Sequence, residues 1–291
     1  MSKREKISLV IIIFIAITAG FLGYLVDQVL TDQPEGNSLG MGLWLVLPFL
    51  TGIVLRIINK DMKQMGVRPC FKDNLKWYAV AVLAFPIIMM ISIIVAKITG
   101  SLIVREIELR TLFLLMVTTF LADFIKNIFE EFAWRGCLVP YLKKTGINDW
   151  FLYFFSGLIW GLWHIMYYMF FLPDEYFTET GRTMTAVTGI VLMIFWSPLF
   201  VELRRLTKSV WPCVILHSMQ DAVPTLLFVT ANVLQIKANY SVMLDPISGI
   251  LPTMLVLFAG LGLRKCRISL YAITLRRGVQ KQICEDEEWI Q

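Results

Sequence analysis

With 291 residues, 57% of them hydrophobic and only 17% charged, the chain departs from a soluble globular domain, which is about 45–50% apolar and ~25% charged. Its net charge of +5 is accounted for by basic loops between apolar runs, and nucleic acid is not expected as a partner. Five cysteines without a CxxC pair argue against both a zinc ribbon and a disulfide framework.

About 30 Å of hydrocarbon needs ~20 residues of helix, and each spanning segment must satisfy its own backbone polar groups. Eight apolar runs follow in order. The first, 7–26, is longer than the apolar region of a signal peptide and is expected to be an uncleaved span. The second covers 38–55 and the third 77–96. The fourth starts at Thr111 and runs into Asp123, Lys126, Glu130 and Glu131. The fifth, 150–172, holds His164; the sixth is 183–201. The seventh, 209–236, holds His217 and Asp221, and the eighth is 247–263. The expected fold is therefore all-α, a polytopic membrane protein of about eight transmembrane helices.

Four regions result: a three-span N-terminal region (1–110), a core of spans four to seven (111–236), a last span (237–263) and a tail (264–291). With a cytoplasmic N-terminus, 21 Lys and Arg fall in inner segments and 5 in outer loops, where segments such as 174–179 are acidic. This asymmetry predicts a multi-pass protein of the cell membrane with both termini cytoplasmic. The tail begins basic, from Arg264 to Lys281, and ends acidic at Glu285 to Glu288. Its basic part is expected to lie against anionic headgroups.

Ionisable side chains inside a bilayer are costly and mark function by default. Three clusters qualify. In the first, Asp123, Asn127, Glu130 and Trp134 share one helix face. Glu131 and Arg135 are spaced to pair at i,i+4, which leaves Glu130 to face a cavity; a charge cluster ending the span is the plain alternative. In the second, His164 follows Trp160 by four residues within an apolar span. By itself it reads as a packed, hydrogen-bonded histidine. In the third, His217 and Asp221 lie four apart on one helix face. Asp221 either orients the imidazole or faces a substrate with it, and a helix-stabilising pair is the alternative. The chain has only two histidines, and both fall in predicted spans. Two histidines, a Glu-Glu pair and an Asp on three helices make a plausible hydrolytic centre. The sequence contains no GxSxG, HExxH or GxGD, and Ser218 points about 100° away from His217.

Together, Glu130-Glu131-x-x-x-Arg135, Trp160-x-x-x-His164 and His217-x-x-x-Asp221 resemble the CAAX prenyl protease and bacteriocin-processing (Abi) family, intramembrane endopeptidases. The resemblance covers about 110–230. It implies that Glu130 is the general base for the attacking water, helped by His164. His217 and Asp221 would stabilise the oxyanion, with Glu131, Arg135 and Trp160 in support. Trp160 stands where the family more often has Phe, and keeps an aromatic wall. Asp221 stands where Asn is common, and an ionised Asp would repel an oxyanion unless it is protonated or acts by orienting His217.

The expected mechanism is glutamate-type with no cofactor. Zinc on Glu130, His164 and His217 is the alternative, since two His and one carboxylate leave an open position. The expected partners are a membrane-bound peptide or protein substrate and the bilayer. A proton-coupled transporter and a non-catalytic membrane scaffold are the competing functions. Simple span limits set Glu130 and His164 at different depths. The depths agree if the fourth helix continues through the apolar stretch 137–142 and residues 150–155 form an interfacial aromatic belt.

Overall fold

The computed structural model describes residues 1–34, 36–177 and 181–277. The acidic end of the tail, Cys284 and residues 178–180 of the acidic outer segment lie outside the described residues. Among those described, seven helical stretches are long and apolar enough to cross a membrane: Lys3–Val29, Leu39–Asn59, Phe71–Ile98, Leu109–Lys144, Asp149–Phe171, Arg182–Thr207 and Trp211–Thr230. They coincide with the first seven expected spans, and the chain is an all-α polytopic membrane protein. The fourth does run on through 137–142, to Lys144. Residues of the eighth expected span open a further helix, Ile250–Arg277, whose second half is charged from Arg264 onward.

The α-helices are α1 (Lys3–Val29), α2 (Leu39–Asn59), α3 (Phe71–Ile98), α4 (Leu109–Ala133), α5 (Val139–Lys144), α6 (Asp149–Met166), α7 (Arg182–Thr207), α8 (Trp211–Pro224), α9 (Ala238–Leu244) and α10 (Ile250–Arg277). Two three-residue strands, β1 (Leu102–Val104) and β2 (Leu234–Ile236), pair antiparallel, Leu102 opposite Ile236. That pairing corrects the expected seventh span, which does not reach 236. Its α-helix ends at Pro224, one wider turn carries it to Thr230, and Asn232 turns the chain in a left-handed conformation before β2. Among the described residues, Cys137, Cys213 and Cys266 are free.

The contacts divide the chain into two compact units. The first comprises Met1–Val67 and Phe129–Ser197. Here α1 turns Ile12, Ala16, Ala19, Gly20 and Gly23 inward and leaves Val10, Phe14, Ile17 and Phe21 exposed, an outward face suited to lipid. Small inward residues let backbones approach where lipid offers no hydrophobic drive for helix association. Any Cβ on Gly23 would strike the Gly40 carbonyl of α2, and one on Gly157 or Gly161 of α6 would strike the α7 backbone at Ile194 or Ile190. Trp44 of α2 and Trp163 of α6 stack at 3.8 Å, each indole N–H donating to the other's backbone carbonyl. Ser2, Ser38 and Asn148 cap the N-termini of α1, α2 and α6.

The second unit comprises Arg68–Ile128 and Pro198–Gln291. α3 packs along α8, and Asn74 donates to the Thr207 carbonyl at the end of α7. Gly260 of α10 sits against the backbone at Pro198 and Leu199. Glu202 ties the same two helices together, accepting from Arg267 Nε at 2.6 Å and from Arg205 Nη1 at 3.0 Å.

Candidate active site

In the first unit the predicted residues gather around Trp160. Glu130 is buried near the end of α4, and its Oε2 accepts from the Trp160 indole N–H at 3.4 Å. Glu131 Oε1 accepts from Arg135 Nη1 at 2.8 Å, both side chains being fully buried. The Arg135 guanidinium lies 4.2 Å from the centre of the Trp160 ring. Trp160 is thus clamped between a cation on its face and a carboxylate at its edge. It serves as a hydrogen-bond donor as well as an aromatic wall, a role that phenylalanine could not fill.

His164 is buried one turn further along α6. Its Nδ1 lies 3.0 Å from the Trp160 backbone carbonyl. A carbonyl only accepts, so Nδ1 carries the proton in this contact. The ring sits edge-on to Trp163 at 4.6 Å and stacks on Tyr168 at 5.8 Å. Glu130, Glu131, Arg135, Trp160 and His164 are therefore one connected set.

A helix break sits directly behind the Glu-Glu pair. Residues Trp134–Leu138 form a wider π-turn, with the Val139 N–H reaching back five residues to the Trp134 carbonyl. Pro140 follows and has no N–H, so the Gly136 carbonyl loses the donor that an α-helix would give it. Arg56 supplies one instead: its Nη2 donates to the carbonyls of Gly136 at 3.1 Å and Cys137 at 3.3 Å. Asp61 holds the other end of that guanidinium at 2.6 Å, and Tyr141 lies under it at 4.2 Å. Similar π-turns follow His164, at Tyr167–Phe171, and Asp221, at Thr225–Thr230. Such turns concentrate at functional sites.

In the second unit, His217 and Asp221 are set together on α8, but not as a hydrogen-bonded pair. His217 Nε2 stands 3.7 Å from Asp221 Oδ2, and the ring edge faces Phe200 at 5.5 Å. Oδ2 is instead held from α4, by Lys126 Nζ at 2.7 Å and Asn127 Nδ2 at 3.0 Å. Lys126 also lies 3.6 Å from Asp123. Composition and spacing gave Lys126 no role, although a lysine deep in an apolar span demands a partner. Ser218 Oγ donates to the Val214 carbonyl at 2.7 Å and is no nucleophile. Among the described residues, no group of three or more His, Cys, Asp and Glu side chains could hold a metal ion.

The architecture is that of a multi-pass membrane protein with buried acid and base groups on its spanning helices. Residues 108–223 match a family model described as type II CAAX prenyl endopeptidase, Rce1-like. The matched stretch holds all three motifs, and over it the chain is similar to the CAAX protease family. No curated protein matches the chain at a significant level.

Proposed function

We propose that the protein is an intramembrane endopeptidase in which Glu130 activates water against a peptide bond of a membrane-associated substrate. The carrying observation is the buried Glu130 carboxylate, fixed by the Trp160 N–H one helical turn from His164. Glu130 takes a proton from the water as its oxygen bonds to the scissile carbonyl carbon. The carbonyl oxygen becomes an oxyanion, stabilised by His217 and the Asp221 group. The protonated Glu130 then delivers its proton to the leaving amine as the C–N bond breaks. His164 supports Glu130 through its imidazole. Glu131 and Arg135 hold the end of α4.

The family match supports a CAAX-type substrate, cleaved near a lipidated C-terminus; peptide or leader maturation is the other substrate class of this reading. The basic residues of the predicted inner segments support both termini being cytoplasmic.

The test uses purified protein in detergent with quenched membrane peptides, farnesylated and unmodified, with and without a zinc chelator. Wild type is expected to cleave, with Glu130→Gln and His164→Ala each losing at least ~100-fold in kcat and the chelator having no effect. Cleavage lost to chelator and restored by zinc would make Glu130, His164 and His217 ligands instead. Cleavage surviving Glu130→Gln would refute the assignment, and a carrier or scaffold would leave every peptide intact.

A further inference from the structure

We propose that Lys126 is a positioning residue of this centre, converting Asp221 from a group that repels an oxyanion into one that is neutralised and aimed. The inference rests on the function proposed above. It addresses a difficulty specific to this chain, a carboxylate where negative charge develops.

Three nitrogens converge on one oxygen. Asp221 Oδ2 is approached by Lys126 Nζ at 2.7 Å, Asn127 Nδ2 at 3.0 Å and His217 Nε2 at 3.7 Å. The lysine comes from α4, 95 residues away in the chain, and lies well within the span Leu109–Lys144. Its side chain is 35% exposed and that of Asp221 17%, so neither charge is fully hydrated. At 2.7 Å in such surroundings the cation cancels most of the field that Asp221 would exert on a nearby oxyanion. Lys126 and Asn127 also fix the carboxylate on α4's side, so His217 at 3.7 Å is not consumed as its hydrogen-bond donor.

The arrangement is asymmetric in its failure modes. Losing Lys126 strands two carboxylates, Asp221 and Asp123, the latter 3.6 Å from the same Nζ. Losing the charge of Asp221 leaves Lys126 still beside Asp123. Lys126→Met should therefore be damaging while Asp221 is a carboxylate, and much less so when it is an amide. A lysine serving only insertion or helix packing would show no such dependence on residue 221 in catalysis.

The experiment is a double-substitution cycle over wild type, Lys126→Met, Asp221→Asn and the double variant. One arm measures kcat and KM on the quenched peptide that wild type cleaves. The other records ring signals of ¹⁵N-histidine-labelled protein; with two histidines in the chain, His164→Ala identifies those of His217. Lys126→Met is expected to lower kcat about 100-fold with KM within about twofold, and to shift the His217 signals. In the Asp221→Asn background the same substitution should cost less than ~5-fold and leave the His217 signals nearly unmoved. Equal losses in both backgrounds, or a Lys126→Met protein with wild-type kcat and wild-type His217 signals, would overturn the proposal. Glu130→Gln serves as the separate control. If it cleaves like wild type, the protease centre is misassigned, and the His217 signals alone then decide whether Lys126 governs Asp221. If it is dead while the cycle shows no coupling, the centre stands and the role of Lys126 falls.

Discussion

Glu131 and Arg135, four residues apart on the span Leu109–Lys144, meet at 2.8 Å with both side chains fully buried. His217 and Asp221 have the same spacing on α8, yet stay 3.7 Å apart while Asp221 turns to Lys126 and Asn127. Identical spacing brings side chains within reach on a helix face; it does not decide which contact forms. In the first pair both side chains are fully buried, and leaving water makes the ionic contact compulsory. In the second, the Lys126 cation and the Asn127 amide sit closer to the carboxylate than the imidazole does. The first region is a sealed ion pair that shapes the helix, and the second is a partly open one whose charges stay accessible to chemistry.

The sealed pair should be the more expensive to break. Arg135→Met leaves Glu131 buried without its cation and removes the charge over the Trp160 ring. We expect a loss of about 3–5 kcal/mol of stability, read as a large fall in the thermal unfolding midpoint in detergent. Replacing both residues, Glu131→Gln with Arg135→Met, should recover much of that loss, because no isolated charge remains. A single substitution with an unchanged midpoint would mean that the pair is not sealed.

How much of this was legible in the sequence follows the same division between local and distant contacts. Seven spans could be read because a bilayer forbids unsatisfied backbone and so forces long apolar helices. The extension of the fourth span through 137–142 was readable because those residues are apolar. The Glu131–Arg135 bond was readable because both partners lie on one helix. The grip of Lys126 on Asp221 and that of Arg56 on Gly136 join residues 95 and 80 positions apart, and no periodicity encodes such a meeting. Trp160 was legible as an aromatic wall but not as a donor, since the direction of an indole N–H depends on the neighbouring helix. The short pairing of β1 with β2 was hidden inside an apolar run that looked like the end of a helix.

A second way to probe the sealed region is through the break behind it. Arg56→Met withdraws the guanidinium donor from the buried Gly136 and Cys137 carbonyls. The expected cost is about 1–3 kcal/mol in the unfolding midpoint, smaller than for Arg135→Met. Pro140→Ala returns a backbone N–H that can reach the Gly136 carbonyl. In that background Arg56→Met should cost clearly less. Equal costs in the two backgrounds would show that Arg56 acts through Asp61 and Tyr141 rather than through the broken helix.

The smallest effect separates the two functions of Trp160. Trp160→Phe keeps a ring beneath the Arg135 guanidinium but removes the N–H that reaches Glu130 at 3.4 Å. That contact is long, so its contribution is at the weak end for a hydrogen bond to a charged group, about 1.5 kcal/mol. On catalysis this corresponds to a fall in kcat of roughly tenfold, with KM and the unfolding midpoint little changed. Trp160→Ala removes ring and donor together and should lower the midpoint as well. A Phe variant as active as wild type would reduce Trp160 to a wall. Glu130 would then be positioned by α4 alone, and the sealed ion pair behind it would be the main determinant of its direction.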